Sequence, residues 1–262
     1  MNPSEYAAMF AVEDRHWWYV GVRREVERWL DTLQHRDGER LAVLDAGCGT
    51  GGLLANLRSD ARRVGIEISV EGIRRARTRS GAALVQGSVA TLPFADESFD
   101  AVVSIDVLCH SGVVERQAVE EASRVLRPGG LFLVQLPAFD FLRGEHDAAV
   151  WTKRRYRRGQ VAALLTSAGF AVRRSAYRNA LLFPFAAVRR LARRRRTREE
   201  AREARSDVRP VPRPLNALFS AVLALERRLG IRFPFGLSVF CVAAKPLDSR
   251  DTISAAKGRS LG

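Results

Sequence analysis

Short apolar runs recur along the chain, separated by longer stretches whose apolar residues return every three or four positions. The runs predict strands at Leu41–Asp45, Arg62–Ile68, Ala82–Gln86, Phe99–Ile105, Leu131–Leu136, Ala171–Tyr177 and Leu237–Ala243. The helical spacing predicts helices at Gly51–Arg58, Ser69–Ser80, Val113–Leu126 and Gly159–Ala168, after an N-terminal helical region reaching about His35. Strands alternating with helices imply an α/β fold with a parallel sheet covered on both faces. A ligand crevice is then expected at the carboxyl ends of the first and fourth strands, where the strand order reverses.

One stretch breaks the alternation. Residues 181–236 are too long for a hairpin between the last two strands, and they begin with the apolar Leu181-Leu182-Phe183-Pro184-Phe185. Arg193 to Arg196 follow, then Pro210, Pro212 and Pro214, and then a helical face carrying Leu215, Leu218, Phe219, Val222, Leu225 and Leu229. The reading is an N-terminal helical lid over 1–40, one main domain over 41–246 with an insert at 181–236, and a disordered tail over 247–262.

The first strand runs into Asp45-Ala46-Gly47-Cys48-Gly49-Thr50-Gly51-Gly52, and Glu67 ends the second strand twenty residues after Gly47. Glycines permit positive φ and leave the backbone open to a ligand, and a carboxylate at the second strand end accepts hydrogen bonds from a ribose diol. Gly47, Gly49 and Gly52 formally satisfy G-x-G-x-x-G, which keeps a nicotinamide-dependent oxidoreductase open. Asp45 points elsewhere, because a carboxylate there repels a pyrophosphate and suits a cationic or amino-bearing ligand.

Ser98 to Asp106 and Arg124 to Val134 add a third long strand, a helix end, a turn and a fourth. Arg127-Pro128-Gly129-Gly130 reads as a helix stop feeding that strand. With these motifs in order, the chain resembles the class I S-adenosylmethionine-dependent methyltransferases over about residues 40–178. The resemblance implies a doubly wound, Rossmann-like, mostly parallel seven-stranded sheet with an antiparallel last strand, the last two strands pairing antiparallel to the rest. It implies S-adenosyl-L-methionine as cofactor, with Asp45, Gly47, Gly49 and Gly51 around its methionine part and Glu67 on its ribose. Ser88 and Val89 take the adenine position, with serine where aspartate is common, and Asp106 closes the site or caps the next helix.

His16-Trp17-Trp18-Tyr19, and Glu145-His146-Asp147 with Arg154-Arg155-Tyr156, resemble elements of a bacterial small-molecule branch with an aromatic lid. The place of a second histidine before Arg-Arg-Tyr is held here by Thr152. The lid aromatics read equally as packing. The catalytic candidates are His146 or His110 as base, with a slight preference for His146, and Tyr156 as an orienting hydroxyl. The expected reaction is methyl transfer to a small-molecule or lipid-linked acceptor at oxygen; a noncatalytic cofactor-binding scaffold at a membrane is the reading from another class.

Charge and cysteines bear on the setting. The formal net charge is +14, and the fifteen basic residues from Ala148 to Arg198 are interrupted by no acid. Such a stretch attracts anionic lipid, nucleic acid or acidic substrates. Nucleic acid is disfavoured, because the chain has no recognisable nucleic-acid module and no stacking motif for an extruded base. Cys48, Cys109 and Cys241 lack metal-ligand spacing, from which we expect a reducing, cytoplasmic setting without a metal. Peripheral contact with the inner face of the cell membrane is the companion expectation.

Overall fold

The computed structural model describes residues 1–33, 39–193 and 210–247. Seven strands form one sheet: β1 (Ala42–Ala46), β2 (Arg62–Glu67), β3 (Ala83–Gln86), β4 (Phe99–Ile105), β5 (Leu126–Pro137), β6 (Ala171–Arg178) and β7 (Ser238–Ala244). Their order is β3-β2-β1-β4-β5-β7-β6, so the direction of winding reverses between β1 and β4. β7 alone runs antiparallel: it pairs antiparallel with both β5 and β6, and β6 therefore lies parallel to β1–β5. This corrects the expectation that both last strands run against the rest.

β5 is also longer than its apolar run. It begins at Leu126 directly after the helix, and Arg127 to Gly130 belong to the strand rather than to a separate turn. Gly129, at φ 80, donates its N–H to the Lys245 carbonyl at 2.9 Å, which ties this segment to the end of β7.

Side chains of period two divide between the faces. Leu44, Ile66, Val102 and Val134 pack with α5 (Glu115–Val125) and α7 (Arg158–Ser167). Val43, Ala101, Val103 and Leu133 pack with Val26 and Leu30 of α2 (Trp17–Leu30) and Leu54 of α3 (Gly52–Asn56). α4 (Val70–Arg79) starts at Ser69, whose hydroxyl accepts the Gly72 N–H at 3.3 Å. The expected N-terminal helical region is two helices, α1 (Pro3–Val12) and α2.

The insert adds α8 (Phe183–Arg193) and α9 (Arg213–Leu229). α9 packs on α2 so closely that a Cβ at Gly21 would lie 2.8 Å from Leu223 Cδ1. Trp17 meets Phe219 edge-on at 5.3 Å, and its backbone N–H donates to Asn216 Oδ1 at 2.8 Å. Glu226 Oε2 accepts the N–H groups of Ala180 and Leu181 at 2.7 and 3.3 Å. Arg194 to Arg196 and the tail from residue 248 lie outside the described residues, as does the Arg193 side chain. Among the described residues no helix is long and apolar enough to cross a membrane.

Candidate active site

The β1 turn folds as its glycines require. Gly47, Gly49 and Gly51 all have positive φ, at 94°, 54° and 80°, where an L side chain is strained. Gly47 and Cys48 donate their N–H groups to the Ile66 carbonyl at 2.8 and 3.0 Å, and Gly49 donates to Glu67 Oε2 at 3.0 Å. The turn therefore holds the Glu67 carboxylate in place, and these three N–H groups do not face a ligand directly. Ser69 N–H and the Tyr6 hydroxyl donate to Glu67 Oε1 at 2.9 and 3.0 Å.

Tyr6 comes from α1, which lies over the turn. Glu13, just after α1, accepts from the Thr50 hydroxyl and from Arg79. These contacts bridge 37 and 66 residues, so no local pattern announces them.

The electrostatics explain what this corner accepts. Burial, then the charges of Glu13 and Glu67, push the buried Asp45 carboxyl up to about 8. Burial pushes Glu13 up to about 7 against the pull of Thr50 and Arg79. Buried carboxylates that hinder one another's ionisation are relieved by a cation brought among them. A cationic ligand suits this corner better than an anionic one.

Asp106 follows β4 with φ 55, its Oδ1 buried and without a partner. Burial pushes it up to about 7, with Arg155 and the neighbouring Gln135 amide pulling the other way. Tyr19 lies nearby: burial, then Glu13, Asp106 and Glu5, raise its phenol. Of the lid aromatics, then, Trp17 packs on α9, while Tyr19 packs edge-on against Trp18 and lies within range of the Glu13 and Asp106 charges. Val89 is buried in the core, and the Ser88 hydroxyl accepts the Ala90 N–H at 3.1 Å.

Residues 44–134 match a family model described as a methyltransferase domain. The chain carries a class I S-adenosylmethionine-dependent methyltransferase domain. It is 37% identical over 121 residues to a 24-methylenesterol C-methyltransferase 2 of Oryza sativa subsp. japonica, covering 43% of this chain and 32% of that one. It is 34% identical over 139 residues to a fatty-acid O-methyltransferase of Mycolicibacterium smegmatis, covering 50% and 48%. The chain thus spans a third to a half of these curated relatives. The fold matches an S-adenosylmethionine-dependent methyltransferase of Thermotoga maritima with TM-score 0.57 and 20% identity, covering 92% of this chain and 95% of that one. The nicotinamide reading of the glycine turn is thereby set aside.

Within this methyltransferase domain the catalytic candidates separate. His110, half-buried after β4, bridges to Thr152, and its Nδ1 is buried without a partner. Burial lowers its pKa, the N-terminal ammonium and, least, His146 add to the lowering, and the Val150 and Trp151 carbonyls oppose it. His146 is half-buried on α6 (Glu145–Ala149). Tyr156 is 1% exposed and donates its hydroxyl to the Leu108 carbonyl at 3.3 Å, which fastens the segment after β5 beneath the end of β4. Its hydroxyl is committed to that bond, so the structure does not present it to an acceptor as expected. Asp147 and Arg155, from the same sequence motif, form a buried bidentate pair at 2.8 and 3.0 Å.

Proposed function

We propose that the chain transfers a methyl group from S-adenosyl-L-methionine to an oxygen of a small-molecule or lipid-linked acceptor. What supports this reading is the group of buried carboxylates at the carboxyl ends of β1 and β2, suited to a cationic cofactor, with the half-buried His110 following β4. When bound, the cofactor supplies an electrophilic methyl group on its sulfonium. Glu67 holds the ribose hydroxyls, Asp45 and Glu13 balance the positive charge, and Ser88 with Val89 borders the adenine. His110, kept neutral by burial, takes the acceptor's hydroxyl proton at Nδ1. Asp106 and Tyr19 line the space where the acceptor is aligned. The relatives named for a sterol and a fatty acid support a lipophilic acceptor, and the second supports oxygen.

Calorimetry with S-adenosylhomocysteine tests the cofactor half. Glu67→Ala is expected to weaken binding by about 1.5–3 kcal/mol, the range for hydrogen bonds to a charged group. Unchanged affinity in a folded variant removes Glu67 from the site. Methyl-labelled cofactor incubated with cell extract tests transfer, and wild-type protein that labels nothing while binding the cofactor supports a noncatalytic scaffold.

We also infer that α8 and α9 rest on an anionic membrane surface. Phe185 and Val188 of α8 are 76% and 69% exposed, and Leu218, Leu225 and Leu229 are exposed along α9. Among the described residues of 178–193 and 210–236 the single acid is Glu226, which is buried, while Arg213, Arg228 and Arg232 are exposed. Apolar and cationic groups on one pair of helices supply both contributions to interfacial binding. The protein is expected to float with phosphatidylglycerol-containing vesicles at low salt and less with neutral ones. Phe185→Asp with Val188→Asp, or Gln at Arg193 to Arg196, should reduce flotation without changing cofactor affinity. Wild-type protein that stays in the soluble fraction with every vesicle rejects this surface.

A further inference from the structure

Between α2, α9 and the carboxyl ends of β5 and β6 lies a niche lined by Trp18, Glu25, Gln135, Arg178, Asn179 and Arg227. It adjoins the methyl-transfer crevice, because Asp106 donates its backbone N–H to the Gln135 carbonyl at 2.8 Å. Its polar groups are incompletely used. The Gln135 side chain is 3% exposed and its amide lies beside the Asp106 carboxyl, but its Nε2 makes no well-aligned hydrogen bond. Arg227 is half-buried and, among the described residues, makes no hydrogen bond or ion pair. Asn179 is buried with its backbone at φ 59, in the left-handed region that asparagine adopts more readily than other non-glycine residues.

Charge points the same way. Glu25 Oε2 pairs with Arg178 at 2.9 Å, while Glu25 Oε1 is buried without a partner. Burial, then Arg178, Arg24 and Arg28, hold Arg227 below its ordinary pKa, and Glu25 only partly offsets them. Two guanidinium groups, Arg178 and Arg227, line the niche against the single carboxylate of Glu25, which leaves it net positive, with hydrogens of Gln135 and Arg227 to offer. An unpaired, partly desolvated guanidinium is costly, and a bidentate oxyanion is the partner that fits its fork.

We propose that this niche binds an anionic group of the acceptor, a carboxylate or a phosphate ester, and so selects acidic acceptors. The niche admits only about 10 Å³, the space of one oxygen-sized group, so the tip of the anion enters and the apolar body stays outside. Arg227 and Gln135 donate to its oxygens. Glu25 Oε1 opposes an unprotonated oxygen, and the anion therefore sits toward Arg227, with Arg178 screening Glu25. The proposal rests on the methyltransferase reading of the adjoining crevice.

The test is calorimetry on the full chain saturated with S-adenosylhomocysteine, titrated with sodium octanoate, octyl phosphate and octanol. At least one anion is expected to bind, with octanol at least about tenfold weaker. The stronger anion identifies the carboxylate or the phosphate as the natural group. Arg227→Gln and Gln135→Leu should each weaken that anion by about tenfold or more, while the exposed neighbour variant Arg228→Gln leaves it unchanged. S-adenosylhomocysteine affinity should be the same in all of them. Equal binding of octanol, failure of both anions, or insensitivity to Arg227→Gln overturns the proposal, and would leave the niche as the seat of an ordered water. Failure of S-adenosylhomocysteine to bind the wild type would instead strike the cofactor reading.

Discussion

Asp147→Ala is expected to lower folding stability by about 3–5 kcal/mol, because it strands the Arg155 guanidinium in the interior. Asp147 and Arg155 are 3% and 5% exposed, and the carboxylate takes both Nε and Nη2 of the arginine. Asp147 Oδ2 also accepts the Gly144 N–H at 2.8 Å, and Arg155 Nη1 donates to the Ala138 carbonyl at 3.1 Å. Burial works against the charge on Asp147, but Arg155 outweighs it and leaves the carboxyl below its ordinary range. A depressed folded-state pKa means that the contribution is complete at neutral pH and is lost as pH falls below the ordinary Asp value of about 3.9. Urea denaturation at pH 7 measures the loss. Leu at Asp147 together with Met at Arg155 should recover most of it, since an apolar pair of similar volume removes both charges. A loss under about 1 kcal/mol for the single substitution would show that water reaches the pair.

His110→Ala is expected to reduce turnover about 10²–10⁴-fold with cofactor affinity retained, the span of a positioned general base. Because burial lowers the pKa of His110, its neutral form prevails from below the ordinary histidine value of about 6.5 upward. Activity should therefore rise with pH through that lowered value and be level near pH 7, and His110→Ala should abolish the rise. His146→Ala should have a smaller effect and, by removing a nearby positive charge at low pH, move the rise to higher pH. A large loss in His146→Ala with near-normal His110→Ala would transfer the role to His146. Near-normal turnover in both would mean that the acceptor loses its proton without a histidine.

Most of the sheet was legible because β1, β4 and β7 are short apolar runs and the glycine turn after β1 is local. Ser69 and Gly51 mark helix starts within a residue of where they occur. The place of Glu67 at the end of β2 was legible for the same reason, twenty residues from Gly47. The direction of β6 was not, because pairing with β7 is set across the whole insert. Tyr156 read as a site residue from its motif, yet its role depends on the Leu108 carbonyl 48 residues away. Tyr6, Glu13 and Arg79 were missed outright: their partners in the site are remote in sequence, and α1 has no strong apolar face to say where it docks. Gln135 lay hidden in an apolar strand, although a polar residue in such a run is itself a local signal.

The packing of α9 limits how this chain can be pruned. Leu223 occupies the side-chain space missing at Gly21, Asn216 completes the start of α2, and Glu226 completes the chain where β6 ends. A shortened version lacking 181–236 would uncover a groove cut into α2 and leave amide hydrogens at two element ends without acceptors. The segment is therefore no detachable module. Grafting it onto another methyltransferase core would need the glycine at position 21 to travel with it, and trimming it here would require α2 to be redesigned as well.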